Sequence, residues 1–345
     1  MNFMTASQRS VHIDALRGLA VLLMVLVHAA ATWEPSLSGG LLVFGVIVSA
    51  GGGLAAPLFV ALLGWGLAQR ALTPRQRWWR AGWLFACQVA VNVSAPHLFD
   101  PFTPGVLSLL GLLILTEPLW ARPVQSTDNH VFVFTLVLTF GLTLSIFTEP
   151  WQGPSDWTPR VETPSFTMWA SHLITTGLYP FFPWVLFACF GLTVARLSSG
   201  HRQMFFRNVA VVGLGASTLA LVQSQRSGQV WALPTGNAAL TFFPANASFL
   251  IAAMTGVAML WWIVERLGEA IAALSHVGRV SLTVYVLHFV PFALFHQAET
   301  VYGWSALSTA GVVVAYTAGW IVLGTWLARR PHLTIESWMR WREPS

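Results

Sequence analysis

The chain reads as an all-α, polytopic membrane helix bundle of about ten transmembrane helices with both termini cytoplasmic. Three observations predict this. The 345 residues are 55% hydrophobic and only 9% charged, with a mean hydropathy of +0.63, whereas a soluble domain of this size carries about a quarter charged residues. Apolar runs long enough to cross roughly 30 Å of hydrocarbon recur along its length. The basic residues, all arginine, crowd into every second connection, as the positive-inside rule requires of cytoplasmic loops.

The first span covers about 12–32. The second, 50–69, follows a further apolar stretch at 37–50. That stretch reads either as a re-entrant or interfacial helix or as the start of one long helix broken at Gly51-Gly52-Gly53. Spans at 78–95, 104–121 and 130–148 come next, then a short helix at 164–177 leading into 178–197. The run at 207–223 is the least apolar, and 246–265, 279–297 and 306–328 complete the set. With the N-terminus inside, the inner segments hold Arg9, Arg70, Arg75, Arg77, Arg80, Arg122, Arg196, Arg202, Arg207, Arg266, Arg279, Arg329, Arg330, Arg340 and Arg342. Only Arg160 and Arg226 fall outside, where Glu34, Asp100, Glu149, Asp156, Glu162 and Glu299 collect. A sequence pI near 10 therefore reflects topology rather than nucleic-acid binding.

Length and the unbroken alternation suggest a single domain over 1–345. Arg9, an apolar stretch and Ala29-Ala30-Ala31 have the outline of a signal peptide, but Asp14 and Arg17 interrupt it. Cys87 and Cys189 sit in apolar runs and read as small buried hydrophobes. The longest connections, about 149–177 and 224–245, are outer ones, and loops of that length are often lids or binding loops. Proline-flanked stretches at 95–104 and 179–183 break helices, as backbone does where it lines a cavity.

The first span carries the sharpest signal. Asp14, Arg17 and His28 fall within roughly a 60° arc of one helix face, with Arg17 and His28 about 16 Å apart along it. Charge at membrane depth costs roughly 2.5–3.5 kcal/mol per residue on insertion scales and by default marks function. The plain alternative is an anchoring i,i+3 pair plus a hydrogen-bonded core histidine. Arg17-Gly18-Leu19-Ala20, followed by His28, resembles the opening helix of the transmembrane acyltransferases. These include the bacterial acyltransferase-three O-acetyltransferases, the heparan-alpha-glucosaminide N-acetyltransferase-like proteins and the YeiB-like proteins. Ala56-Pro57-Leu58-Phe59 with Leu63-Gly64-Trp65 is similar to their second helix. Gly177-Leu178-Tyr179-Pro180, Pro183-Trp184 and Gly191 resemble a mid-chain segment of the last two branches. Gly278-Arg279, Ser281-Leu282-Thr283, Tyr285 and His288 resemble a late helix, and the stretch from Pro331 to Arg340 a closing tail. Two departures stand out. No residue aligns with the outer-segment histidine of the animal enzymes, and Asn246 stands where the YeiB-like proteins carry a histidine.

The resemblance implies an acyl-CoA-dependent O- or N-acyltransferase in the inner (plasma) membrane. It would move an acetyl group from cytoplasmic acetyl-CoA to a hydroxyl or amine of a sugar, lipid-linked or other cell-envelope acceptor. Histidine suits such chemistry because its pKa lies near working pH, so His28 is the candidate base or acyl carrier. Asp14 would fix Arg17, and His288 would assist or, on the plainer reading, be a structural histidine. Arg17, Arg75, Arg77, Arg80 and Arg279 are candidates to grip the phosphates of coenzyme A, since guanidinium binds phosphate bidentately; lipid contact is the alternative. His97, Asp100, His172, Tyr179 and Asn246 are the outer candidates for binding acceptor, with capping and turn formation as their default. No metal spacing appears. An oligomer is compatible with all of this. The contrasting class is a permease for a small organic anion, which broken helices and intramembrane charge also fit.

Overall fold

A computed structural model describes residues 10–36 and 39–344; Arg9, counted above with the inner charges, lies outside them. Helix α1 spans Val11–Trp33, α2 Leu41–Gln69, α3 Pro74–Ser94, α4 Val106–Trp120 and α5 His130–Phe147. A short α6, Phe166–Ser171, runs through a π-helical turn, His172–Thr176, towards α7, Phe181–Arg196. Then come α8 Ser199–Ser227, α9 Ala247–Leu267, α10 Ala272–Gly278, α11 Ser281–Leu287, α12 Val290–Phe295, α13 Ala306–Ala328 and α14 Ile335–Trp341.

Seven of these stretches are long and apolar enough to cross a membrane, counting Ser281–Val301 as one, and the pair Phe166–Thr176 and Phe181–Arg196, bent by 48°, makes an eighth. The protein is a multi-pass membrane protein. Ten segments were expected, and α3 and α4 account for the difference. With 15 residues, α4 reaches only about 22 Å, short of roughly 30 Å of hydrocarbon. Three arginines and buried Gln76, Gln88 and Asn92 make α3 too polar to qualify. The stretch before the second span is part of one continuous helix, so Gly51-Gly52-Gly53 does not break it. The loop after α8 holds a feature absent from an all-α reading: strands Ala232–Thr235 (β1) and Leu240–Phe243 (β2) pair in parallel, with Ala232 opposite Leu240.

Helix α1 lies at the centre, packed on α2, α10 and α13, while α2 packs along α7. A side chain on Gly18 would strike the carbonyl of Leu274, and one on Gly278 the carbonyl of Asp14. The backbones of α1 and α10 therefore touch, which fixes where the N-terminal end of α1 sits. Helices α5, α8 and α13 leave most of their apolar surface uncovered by protein and face lipid.

At the start of α3 the chain closes on its own C-terminal tail. Glu343 accepts from Arg80 Nε at 2.6 Å, Trp79 Nε1 donates to the Met339 carbonyl at 2.8 Å, and Gln76 Nε2 to that of Pro344 at 3.0 Å. Arg202 pairs with Glu265 across α8 and α9.

Two outcomes follow. Gly278→Val forces α10 off α1 and is expected to cost about 1–3 kcal/mol, read as a lower thermal midpoint in detergent by tryptophan fluorescence; an unchanged midpoint would refute the contact. The hydrogen bond from Arg80 holds the Glu343 carboxyl below its usual range. A pKa lowered by folding adds stability above the unfolded value of about 4.3 and loses it as pH falls through the folded one. Proteolytic release of the tail should therefore rise on acidification below about pH 4, and Glu343→Gln should abolish that dependence.

Candidate functional site

His28 comes from the C-terminal half of α1, and His288 caps the C-terminal end of α11. His28 Nδ1 lies 2.9 Å from His288 Nε2, with the two rings 6° from parallel. His288 is fully buried and its Nδ1 lies 3.2 Å from the Val284 carbonyl. A carbonyl can only accept, so Nδ1 of His288 carries the proton and its Nε2 is the acceptor. Nδ1 of His28 must then donate, which leaves Nε2 of His28 with its lone pair free. That atom has no hydrogen-bond partner among the described residues, and its ring is only half-buried. A ring nitrogen in one tautomer, backed by a second imidazole, thus keeps its lone pair unengaged among the described residues.

The helix carrying His288 is pinned from two directions. Glu336 of α14 accepts from the amides of Leu282 and Thr283 at 2.7 and 3.2 Å and from Thr283 Oγ1 at 2.5 Å. A carboxylate at a helix N-terminus meets unpaired amides and the positive end of the dipole. At the other end Tyr316 of α13 donates to the His288 carbonyl at 2.5 Å. Glu336 and Tyr316 are supports that the sequence reading did not single out. Glu336 was detectable only as a lone acid in the closing tail.

Aromatic rings wall the pair. Tyr285 and Phe289 lie 6.3 and 4.8 Å from the His28 ring centroid. Phe99 of the loop after α3 packs on Phe289 at 6.2 Å. Tyr179 is close enough to Tyr285 to interact with it electrostatically, and it packs against Trp184, Phe242 and Phe243. Thr32 Oγ1, one turn beyond His28, and Trp184 Nε1 are both buried without a partner, an uncommon state for polar atoms.

At the N-terminal end of α1 Asp14, 3% exposed, accepts from Arg17 Nη1 at 3.0 Å. Arg17 remains part-exposed and borders Gly66 of α2. Arg279 follows Gly278 at the same crossing; its Nε reaches the Ser275 carbonyl at 3.4 Å, and it makes no ion pair among the described residues. Arg75 is exposed. Arg77 and Arg80 are committed elsewhere: Arg77 pairs with Glu117 at 2.8 Å and Arg80 with Glu343 at 2.6 Å. Both are already neutralised, which weakens the expectation that they hold phosphate.

The outer candidates divide. His97 is exposed, with its ring 4.4 Å from that of His296, and burial and that neighbour lower its pKa. Asp100 accepts from the Thr163 amide at 2.9 Å and so ties two loops together. His172 is buried with both nitrogens engaged, by Thr176 Oγ1 at 2.8 Å and the Glu162 carbonyl at 3.0 Å, leaving none for a ligand. Asn246 caps α9 through Phe249 and donates to the Ala239 carbonyl. The outer loop is centred instead on Arg160, fully buried, whose guanidinium donates to the carbonyls of Thr176, Gly177, Gln152 and Gly153 at 2.9–3.2 Å. Burial lowers its pKa to about 10, which leaves it charged at neutral pH. Cys87 and Cys189 are buried free thiols. Among the described residues no three His, Cys, Asp or Glu side chains are grouped to hold a metal ion.

The tautomer assignment is directly measurable. In ¹⁵N-histidine-labelled protein His28 and His288 should both titrate from Nδ1–H neutral forms, and His288→Ala should free His28 to sample the Nε2–H form. A wild-type His28 carrying its proton on Nε2 would overturn the assignment.

No curated protein matches the chain. The family model for the catalytic domain of heparan-alpha-glucosaminide N-acetyltransferase matches residues 9–233. That range includes Asp14, Arg17, His28 and Tyr179 and stops short of His288 and Glu336. The match covers well over half of the sequence, so the chain belongs to the heparan-alpha-glucosaminide N-acetyltransferase catalytic family, whose chemistry is of the N-acetyltransferase type.

Proposed function

We propose that this protein transfers an acetyl group from cytoplasmic acetyl-CoA to a hydroxyl or amine of a sugar or other cell-envelope acceptor, with His28 as the working base. The observation that carries the reading is the free Nε2 of His28, held in one tautomer by His288 and the Val284 carbonyl. In this scheme Nε2 takes the proton of the acceptor as its oxygen or nitrogen attacks the thioester carbon. The tetrahedral adduct collapses with cleavage of the C–S bond, and the imidazolium returns its proton to the departing thiolate. His288, accepting from Nδ1 throughout, steadies the charge on the ring. The same lone pair could instead carry the acetyl group as an acyl-imidazole; the free Nε2 serves both routes.

Family membership supports the acetyl-CoA donor. The arginine asymmetry supports cytoplasmic termini, and we place the whole chain, as a single domain, in the plasma membrane. On that topology the phosphates dock at the inner mouth. Arg279 and Arg75, which make no ion pair among the described residues, are the proposed ligands, with Arg17, held by Asp14, beside them; Arg77 and Arg80 already face carboxylates on other segments. From Arg17 to His28 is about 16 Å along α1, a span suited to the extended pantetheine arm. The acceptor is proposed to enter from the outer side past Tyr179, His97 and Asp100, with Thr32 Oγ1 and Trp184 Nε1 free to bond to it.

Purified protein in detergent tests this. Wild type should bind acetyl-CoA, and His28→Ala should keep that binding while losing about 10²–10⁴-fold in turnover. Arg279→Gln should weaken acetyl-CoA binding by about tenfold or more, as loss of a charge-assisted bond to phosphate implies. No binding by wild type, or normal turnover in His28→Ala, would sink the proposal. Solute transport into proteoliposomes without acetyl transfer would favour a permease.

A further inference from the structure

A groove of about 1000 Å³ runs along the flank of the bundle, away from the histidine pair, between α5 and α8 and floored by α9. It exists because α8 is drawn onto α9, where a side chain on Gly213 would collide with Thr255, while α5 is held by α7. Both walls belong to lipid-facing helices, so the groove opens sideways to the bilayer. Its lining is graded. Leu138, Leu142, Val212, Ala216 and Met254 form its apolar stretch, whereas Asp128, Arg196 and His201 lie at the mouth, at the ends of the helices.

We propose that this groove binds one glycerophospholipid whose zwitterionic headgroup carries a primary ammonium. Length argues for a single lipid leaflet. From His130 to Leu142 is twelve residues, about 18 Å along α5, close to half of a roughly 30 Å hydrocarbon core. A partner's transmembrane helix needs the full thickness. Charge selects the head. Arg196 and Asp128 are both exposed at the mouth, of opposite sign, and neither makes an ion pair among the described residues. A lipid phosphate bridges to Arg196 through charge-assisted hydrogen bonds, and His201, whose Nδ1 is shared with Ser198 at 2.8 Å, stands beside it. A primary ammonium has donors for the Asp128 carboxylate. A quaternary choline has none, and a purely anionic head would place its charge against Asp128 unanswered.

The test measures lipid retained by the full-length protein after delipidation, by native mass spectrometry. It uses phosphatidylethanolamine, phosphatidylcholine and phosphatidylglycerol of identical chains. Wild type should retain the ethanolamine lipid about tenfold over the choline lipid. Asp128→Asn should erase that preference, and Arg196→Gln should lower retention of all three. Ala216→Trp, which fills the groove, should displace them. Both charged residues are exposed, so their variants keep the test decisive where Ala216→Trp fails to fold. Equal retention of ethanolamine and choline lipids by wild type, a preference for phosphatidylglycerol, or an unaltered preference in Asp128→Asn would overturn the proposal. Acetyl transfer is not the readout, so either outcome leaves the proposed catalysis to its own test.

Discussion

The contact of α1 with α10 at Gly18 and Gly278 is the constraint on which the remaining geometry rests. Two backbones can approach this closely only where neither residue carries a Cβ, and a membrane offers no hydrophobic driving force between helices to compensate for a gap. The contact sets the depth and rotation of α1. It puts Asp14 in the interior and leaves Arg17 part-exposed at the N-terminal end of α1. Because α1 is a continuous helix to Trp33, the same contact determines where His28 lies some 16 Å further along. The Gly278 side of the crossing leads within a few residues into α11, which brings His288 to meet His28.

That meeting is enforced rather than incidental. An imidazole pair at membrane depth is useful only if the protons are ordered, and three carbonyl or carboxylate groups see to this. The Val284 carbonyl orients the His288 ring, the Glu336 carboxylate fixes the start of its helix, and Tyr316 holds the His288 carbonyl from α13. The tail after α13 is therefore part of the site's support, although it contributes no atom to the opening. The inner arginines follow a parallel logic. Those paired with Glu117 and Glu343 tie α3 to α4 and to the tail, and Arg17 is paired within its own helix with Asp14.

The outer loops follow a different rule. Arg160 is buried with four backbone carbonyls and no carboxylate among the described residues. Its charge gathers the segment from Gln152 to Gly177 into one body, and His172, Asp100 and Asn246 hold neighbouring turns and helix ends in the same way. These polar groups are consumed in making the loops, which is why so few of the outer candidates reach the histidine pair.

Much of the architecture was legible in the residues. Hydropathy located every long apolar helix, because in lipid the backbone must satisfy itself within each segment. The spacing of Asp14, Arg17 and His28 placed them on one face, because α-helical geometry is local. Of the short motifs that carried the family likeness, those from Arg17 to Gly191 lie within the range that the family model matches, and those at 278–288 and 331–340 lie beyond it. What composition could not supply was partnership. That Arg77 and Arg80 face acids 40 and 263 residues away, that His172 is saturated, and that a strand pair forms in the loop after α8 all depend on contacts between distant segments. By itself the sequence determined a membrane bundle with a polar stripe along its first helix. Only the tertiary structure decided that His28 faces His288 with a free Nε2, because a proton's position on an imidazole is set by what lies opposite it.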